Sequence, residues 1–552
     1  MFLYLCRANR PGCQLIRITE LPIPLDDTTH KSVNEVLREA ILDRLLISDL
    51  ELVDFTVFKR SHDARRKSSN ITFIYIIDLT ARDEKKILSR FLNDPHVISA
   101  PDTQYYPPMH NTLGSKTRPL VVGFGPCGLF AALLLAQQGY KPIVLERGRE
   151  VKRRTHDTWA LWKKKMLVPE SNVQFGEGGA GLFSDGKLYS QIKDPKFYGR
   201  KVMREFILAG APPEILYVNK PHIGTFRLTG IVTAIRNKII ELGGEVRFES
   251  KVTDLLIENG QIQGVGLENG EILNSHHVVL ALGHSSRDTL RMLEQRQVFM
   301  EAKPFALGFR IEHPQSMIDK VRLGRFAGHP ALGAADYKLV HHASNMRSVY
   351  SFCMCPGGTV VAATSEENRV VTNGMSQYSR NERNANAGIV VGIDPKIDYP
   401  GGPLAGVLLQ ERLESLAYEL GGKDYCAPAQ LVGDFLCGKA SRELGGIEPS
   451  YKPGVHLCDL AALLPKYAIE AIREALPIFG RQIKGFDRYD AVLTGIESRT
   501  SSPVRITRNP VTLQSINVLG LYPCGEGAGY AGGTLSAGVD GIKIAEAVVA
   551  NQ

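Results

Sequence analysis

At 552 residues and 43% hydrophobic, the chain can bury more than one core; its length suggests about two to four domains, and its composition excludes disordered, collagen-like and coiled-coil classes. The 66 basic and 58 acidic residues leave a formal charge of +8 spread through the sequence, a weak pointer to nucleic acid. Nine cysteines, odd in number, irregularly spaced and without paired C-x-x-C metal spacing, exclude a disulfide scaffold and fit a reducing compartment.

The chain begins on Met1–Leu5, apolar for about five residues with no basic region before it, too short for a signal-peptide core. No apolar run approaches the roughly 20 residues of a membrane helix, so a soluble, cytoplasmic protein with no membrane partner is expected. Residues 1–100 read as a unit. Leu15–Thr19 is a short strand, and Ser32–Leu46 has helical periodicity in Val33, Val36, Leu37, Ile41 and Leu45. Leu52–Phe58 and Ile71–Leu79 alternate like strands across a basic loop, Lys59–Lys67; Asp83–Leu92 is a second helix and His96–Ala100 a last strand. The order βαββαβ is that of a ferredoxin-like α+β module. Many such modules bind RNA, but Asn70–Tyr75 lacks the K/R-G-F/Y-G/A-F pattern. The basic loop therefore reads as solvated or as an internal docking surface, and nucleic acid is not an expected partner.

A Pro/Tyr/Asn-rich linker, 101–118, leads to the most informative region. Leu120-Val121-Val122 is a short buried strand running into Gly123-Phe124-Gly125-Pro126-Cys127-Gly128 and an apolar helix, Leu129–Gln138. Gly123 allows the tight turn, Gly125 admits a pyrophosphate to the backbone, and Gly128 lets the helix pack on the strand. The helix N-terminus offers free N–H groups to phosphates. Pro142–Leu145 is the next strand, and Glu146 at its end, followed by Arg147 and Gly148, stands where a ribose hydroxyl is recognised. An acid there argues against a 2′-phosphate, which leaves NAD or FAD.

Two further segments turn the choice to FAD. Val278–Leu280 is a buried strand ending in Ala281-Leu282-Gly283-His284, after a β-rich stretch, Val246–Leu273, that contains Val252. Asn517–Gly527 delivers Gly525-Glu526 from a strand, and Gly529–Gly533 leads into a helix, Thr534–Ala550. These segments resemble the second and third FAD contacts of glutathione-reductase-like flavoproteins, where the last helix aims its N-terminus at the flavin and its dipole stabilises negative charge there. A simple NAD dehydrogenase needs no such distant return.

The whole chain resembles an uncharacterised group of FAD-dependent dehydrogenases within that superfamily. The resemblance rests on Lys59-Arg60-Ser61 with Asp63-Ala64-Arg65, Phe175–Gly181 with Ser184–Leu188, Ser351–Gly358, Asn373–Ser376, Asn384–Asn386 and Tyr522–Gly533. It implies a fold and a cofactor, with no substrate to carry over. It places the loop Gly176–Lys187, including Gly179, Ala180 and Lys187, against the flavin side of FAD. Together with the fingerprint it makes the expected cofactor residues Gly123, Gly125, Pro126, Cys127, Gly128, Glu146, Arg147, Gly148, Gly179, Ala180, Lys187, Val252, Ala281, Gly283, His284, Gly525, Glu526, Gly532 and Gly533.

For chemistry the candidates are Cys353, Cys355 and His284. In a regular strand the two thiols share a face, with Cα atoms roughly 6.5–7 Å apart, at or beyond the limit for a disulfide; the Pro356-Gly357-Gly358 turn relaxes that geometry. A dithiol relay, a wall facing substrate or flavin, and plain burial all remain open. His284 reads as an acid–base group or as a satisfied turn histidine. Glu366, Arg380, Asn384 and Asn386 are expected to line a substrate pocket by resemblance and polarity. There is no second strand–GxGxxG–helix unit, no C-x-x-C near the fingerprint, and no HExxH, Walker loop or Cys/His cluster, so no metal is expected.

The expected fold is α/β: an N-terminal ferredoxin-like domain (1–100), then a Rossmann-like FAD-binding domain in two parts (119–290 and 491–552) interrupted by a mixed α/β substrate domain (291–490). The expected function is a FAD-dependent oxidoreductase, a dehydrogenase passing hydride from a small-molecule substrate through flavin N5 to an external electron acceptor or donor. The alternatives are a FAD-containing RNA-associated protein and a flavin sensor without turnover.

Overall fold

The computed structural model describes residues 15–28, 31–63, 71–108 and 117–551. The apolar start Met1–Leu5, the basic segment Ala64–Lys67 and residues 109–116 of the linker lie outside the described residues. Local chemistry sets the first elements. Ser32 accepts from the Glu35 amide while the Glu35 side chain accepts from Ser32, a capping box that opens α1 (Val33–Leu45). Strand β1 (Ile16–Pro24) precedes it; β2 (Leu52–Asp63), β3 (Thr72–Ala81), α2 (Glu84–Arg90) and β4 (Val97–Ser99) follow. The sheet order is β2-β3-β1-β4.

Two readings of this region are corrected. Strand β2 runs on through Lys59–Asp63, which the sequence presents as loop, because those residues pair antiparallel with Thr72–Ile76 after a bulge. The Arg60 amide also donates to Tyr217 O and its carbonyl accepts from Asn219 N, so the outer edge of β2 is bridged to the rest of the chain at that residue. Strand β1 continues five residues past Thr19. Pro22 and Pro24 are tolerated there because β4 pairs only with Ile16–Ile18, leaving one side of the later residues without a ladder among the described residues.

The body begins with β5 (Leu120–Val122), α3 (Pro126–Gln137), β6 (Ile143–Leu145), α4 (Val151–Lys164), α5 (Tyr198–Leu208), α6 (Thr225–Glu241) and β7 (Glu245–Arg247). A meander of β8 (Val252–Glu258), β9 (Gln261–Leu267) and β10 (Ile272–Asn274) leads to β11 (Val278–Leu280) and α7 (Arg287–Gln295). Next come β12 (Met300–Ala302), β13 (Phe305–Pro314), α8 (Gln315–Leu323), β14 (Val340–His342), β15 (Ser348–Cys355), β16 (Gly358–Ala362), β17 (Thr372–Ser376) and β18 (Asn384–Ile393). Then follow α9 (Ala405–Leu420), β19 (Ala427–Leu431), α10 (Val432–Cys437), β20 (Val455–Leu457), α11 (Lys466–Gln482) and β21 (Val492–Glu497). The chain returns through β22 (Val504–Ile506), β23 (Leu521–Pro523) and α12 (Thr534–Ala550).

Five parallel strands form one sheet in the order β23-β11-β5-β6-β7, so the last strand of the chain lies at its edge beside β11. Strands this short and apolar suit a sheet covered on both faces. Val121, Val144, Val279 and Tyr522 face the core under α3, α5, α6 and α12. Their neighbours Leu120, Val122, Ile143, Leu145, Val278 and Leu280 face a second core built with β8, β9 and α7. A seven-stranded sheet, β14-β15-β18-β13-β21-β19-β20, makes up the other large layer, with β13 buried between β18 and β21. It takes in Val492–Glu497, beyond residue 490 where the sequence sets the boundary. Among the described residues no helix is long and apolar enough to cross a membrane.

Candidate functional site

The fingerprint folds at the carboxyl end of β5, at the centre of the parallel sheet, where ligands of open α/β sheets bind. Helix α3 starts at Pro126, three residues earlier than the sequence predicts: Gly125 is its N-cap, and proline at the first helical position sacrifices only an amide that has no helical partner. Gly128 thus lies within the first turn, where a Cβ would stand 2.0 Å from Gly123 O. Gly123 itself has φ +98°, and a Cβ there would meet Ala281 O at 2.6 Å, so the β11 turn packs directly on the fingerprint. Among the described residues no side chain caps the N-terminus of α3. Helix α12 likewise begins without a side-chain cap, at Gly533. The two helices pack closely: a Cβ on Gly541 would lie 2.2 Å from Cys127 O. Two bare, positively polarised helix N-termini therefore belong to one packed unit.

A second glycine loop is folded over this unit. A Cβ on Gly179 would be 2.8 Å from Gly125 Cα, and one on Gly181 would be 3.1 Å from Thr534 Oγ1. Gly123, Gly125, Pro126, Gly179 and Ala180 form a partly exposed rim. Two buried side chains fix the loop. Arg154, 0% exposed, donates to the carbonyls of Asn172, Val173, Gly176, Glu177 and Gly179. Glu146 accepts from the amides of Phe124, Gly148 and Gly176, all at 2.8–2.9 Å. The acid expected to meet a ribose is therefore already the hub of three loops, and only Oε2 keeps a lone pair for a ligand. Arg147 pairs with Glu170 and Asp288 and lies over the Phe175 ring, while Val252 is buried among Leu145 and the meander residues.

At the C-terminal return, Asp540 accepts from the Gly525 amide at 2.9 Å and pairs bidentately with Arg508, which also donates to Pro523 O. Gly527 N donates to Leu282 O, joining this segment to the β11 turn. His284 and Glu526 meet there, Nδ1 3.6 Å from Oε1. The imidazole is 8% exposed, and its Nε2 has no partner among the described residues. Lys303, which no sequence motif marks, reaches Ser502 O at 3.4 Å and faces Glu526; burial holds its pKa below the ordinary range. Cys127 and Cys524 are both buried, and the neighbouring Cys524 thiol, which donates to Leu280 O at 3.4 Å, together with burial pushes the Cys127 thiol up.

Lys187 is not in this cluster. Its ammonium donates to Met354 O, beside Cys353 and Cys355. The regular strand geometry assumed for those thiols does not hold. Cys353 has φ +42°, the β15–β18 register slips between Phe352 and Cys355, and Cys355 Sγ donates to Cys353 O at 3.3 Å. Arg310, fully buried and bidentate with Glu497, gives its remaining nitrogen to Cys353 O and Asn386 Oδ1. The polar residues expected to line one pocket are dispersed: Arg380 pairs with Asp185, Asn384 with Glu312, and Glu366 with Arg287 and Arg499. Among the described residues no group of three or more His, Cys, Asp or Glu is arranged to hold a metal ion.

Three observations bear on whether a dinucleotide suits these residues. The helix N-termini are bare, His284 Nε2 is buried and orphaned, and a Cβ on exposed Gly283, Gly532 or Gly533 would meet nothing within 4 Å among the described residues. All three fit a long anionic ligand along the rim. Residues 304–500 match a family described as "FAD-dependent protein, C-terminal domain-like". With the rim geometry, this identifies FAD as the cofactor. An uncharacterised protein of Clostridium beijerinckii is 48% identical over 536 residues, 97% of this chain and 98% of that protein. Among solved structures, L-proline dehydrogenase from P. horikoshii is 14% identical, with a TM-score of 0.34, over 80% of this chain and 95% of that one. Glycine oxidase from Bacillus cereus is 12% identical, with a TM-score of 0.29, over 79% and 96%. At such scores neither structure carries an argument. The near-complete match at 48% identity does: the chain belongs to the family of the Clostridium protein.

Proposed function

We propose that the chain is a FAD-dependent oxidoreductase of the glutathione-reductase-like flavoprotein superfamily, acting on a small-molecule substrate and using an external electron acceptor or donor. The observation that carries this reading is the pairing of two uncapped helix N-termini, α3 and α12, beneath an exposed glycine rim. The domain plan that goes with it is an N-terminal ferredoxin-like module, for which the order β2-β3-β1-β4 is support, then a Rossmann-like domain split around a substrate domain.

When bound, the flavin supplies hydride exchange at N5. The protein's part is binding, orientation and proton handling. Gly123, Gly125 and Gly128 bring the backbone of α3 to the pyrophosphate, with Pro126, Cys127, Gly179 and Ala180 shaping its walls. Glu146 would receive a ribose hydroxyl on the free lone pair of Oε2, and Arg147, Gly148 and Val252 would flank the adenosine end. Ala281, Gly283, Gly525 and Glu526 would run along the ribityl side. Gly532 and Gly533 leave the amides of α12 open toward negative charge. His284 can hold a proton at Nδ1 against Glu526, which makes it the candidate acid–base group. Purified protein should be yellow, and an anaerobic metabolite screen should find compounds that bleach it. A colourless protein that takes up no FAD would refute the reading.

A further inference from the structure

Strand β15 ends in a thiol pair that the flavin reading leaves unused. A non-glycine residue at positive φ is uncommon, and such backbone strain persists where surrounding structure enforces it. At Cys353 the enforcement is visible: Arg310 Nη1 donates to its carbonyl at 2.9 Å, and Lys187 holds the next carbonyl, that of Met354. The turn brings the Cys355 thiol onto Cys353, where Cys355 Sγ donates to the Cys353 carbonyl at 3.3 Å. Cys353 is partly exposed, whereas Cys355 is 0% exposed. The cations Lys187 and Arg310 face Cys353, with Asp185 and Glu497 opposing; Tyr337 faces Cys355. The neighbouring Cys355 thiol, helped by the two cations, holds the Cys353 thiol well below its ordinary range, while the Cys355 thiol is pushed up.

We propose that Cys353 and Cys355 form a thiol–disulfide exchange site whose co-substrate is a low-molecular-weight disulfide, with Cys353 attacking and Cys355 resolving. Partial exposure of Cys353 suits a small co-substrate. The Cys353 thiolate attacks one sulfur of the disulfide R–S–S–R; the S–S bond breaks, a mixed disulfide forms at Cys353, and RS⁻ leaves. Cys355 gives up its proton to that thiolate and attacks the Cys353 sulfur. The second RS⁻ departs and takes a solvent proton, so two protein thiols are oxidised and one disulfide is reduced to two thiols. The pair stands on observations separate from those behind the flavin reading.

The full-length protein as purified is treated with oxidised glutathione, quenched in acid, alkylated with iodoacetamide and digested with trypsin. The peptide Ser348–Arg369 contains both thiols and no other cysteine. It should become lighter by two hydrogens, after passing through a transient glutathione adduct. In Cys355→Ser the adduct should accumulate on Cys353, and in Cys353→Ser it should be lost. Wild-type peptide that stays fully alkylated, or modification confined to Cys127, Cys437 or Cys524, overturns the proposal without reference to any variant. Yellow protein with an inert pair would leave the flavin reading intact, and colourless protein with a reactive pair the exchange site.

Discussion

A guanidinium at position 154 uses all five of its N–H groups on five backbone carbonyls, at 2.6–3.2 Å, and no carboxylate among the described residues touches it. Burial lowers its pKa to about 10, so the charge survives at neutral pH. An ammonium cannot span acceptors from Asn172 to Gly179. Arg154→Lys should therefore fold, but relax the loop over Gly125 and weaken FAD about tenfold or more, the effect of one or two lost hydrogen bonds at about 1 kcal/mol each. Titration of apoprotein with FAD reads this directly, and unchanged affinity would show that the loop keeps its shape unaided. His313 supplies a pH dependence. It is 0% exposed, bonds Phe486 O through Nε2, and burial lowers its pKa from 6.5 to about 4. The fold holds the neutral ring, so its contribution is complete above the unfolded value and is lost as pH falls from about 6.5 toward 4. The slope is up to ~1.4 kcal/mol per pH unit and the total roughly 3 kcal/mol. His62, His222 and His277, also lowered by burial, act in the same direction. Urea midpoints at pH 7 and 5 should diverge less in His313→Gln than in the parent; equal divergence would place the effect elsewhere.

Helices α3 and α12 meet through missing side chains, and glycine substitutions separate packing from propensity. A Cβ on Gly541 would sit 2.2 Å from the Cys127 carbonyl and 3.0 Å from Ala131 N, backbone atoms that cannot swing aside. Gly541→Ala should cost about 1–3 kcal/mol and release FAD, because moving α12 off α3 moves one of the two N-termini. Gly230, inside α6, has nothing within 4 Å of its would-be Cβ, so Gly230→Ala should stabilise by about 0.5–1 kcal/mol and leave FAD uptake unchanged. Thermal melts and FAD titration of both variants test the pair; the same sign in both would discredit the packing argument. The α3 element was legible because its signal is local: a strand, three glycines and an acid within one βαβ unit. What misled was equally local. Leu129 looked like the helix start because Pro126 looks like a breaker, Pro22 and Pro24 hid the length of β1, and the charges of Lys59–Asp63 hid a strand set by pairing with Thr72–Ile76. Regular alternation likewise gave no warning of the break at Cys353, which Arg310 and Lys187 impose from distant segments.

The parallel sheet and the seven-stranded sheet are tied through an ion cluster in which Glu414, with Glu366 beside it, bridges two arginines. Glu414 on α9 is 0% exposed; its oxygens accept from Arg287, which opens α7 after the β11 turn, and from Arg499, just past β21, at 2.7–3.0 Å. Arg499 reaches on to Ser285 Oγ at 2.8 Å, closing the circuit onto the residue next to His284. These partners lie 127 and 85 residues from Glu414, so no periodicity or spacing announces them; three residues of ordinary surface type become a buried cluster only when the sheets meet. Burial works against the carboxylate charge, but Arg287 and Arg499 outweigh it and hold Glu414 well below the ordinary range, so the pair stays ionised through mild acid. Removing the Glu414 charge leaves two buried guanidinium groups with the partly exposed Glu366 as their one remaining carboxylate among the described residues. For a broken buried pair the cost is about 3–5 kcal/mol. Glu414→Gln keeps the volume and should be destabilised by that order. Because the loss falls between the layers, unfolding followed by flavin fluorescence, which reports the parallel sheet, should separate from unfolding followed by far-ultraviolet circular dichroism, which reports both. In the parent the two curves should coincide. Coincident curves in Glu414→Gln with an unshifted midpoint would mean that apolar contacts alone hold the layers together, with the ion cluster a passenger in the interface.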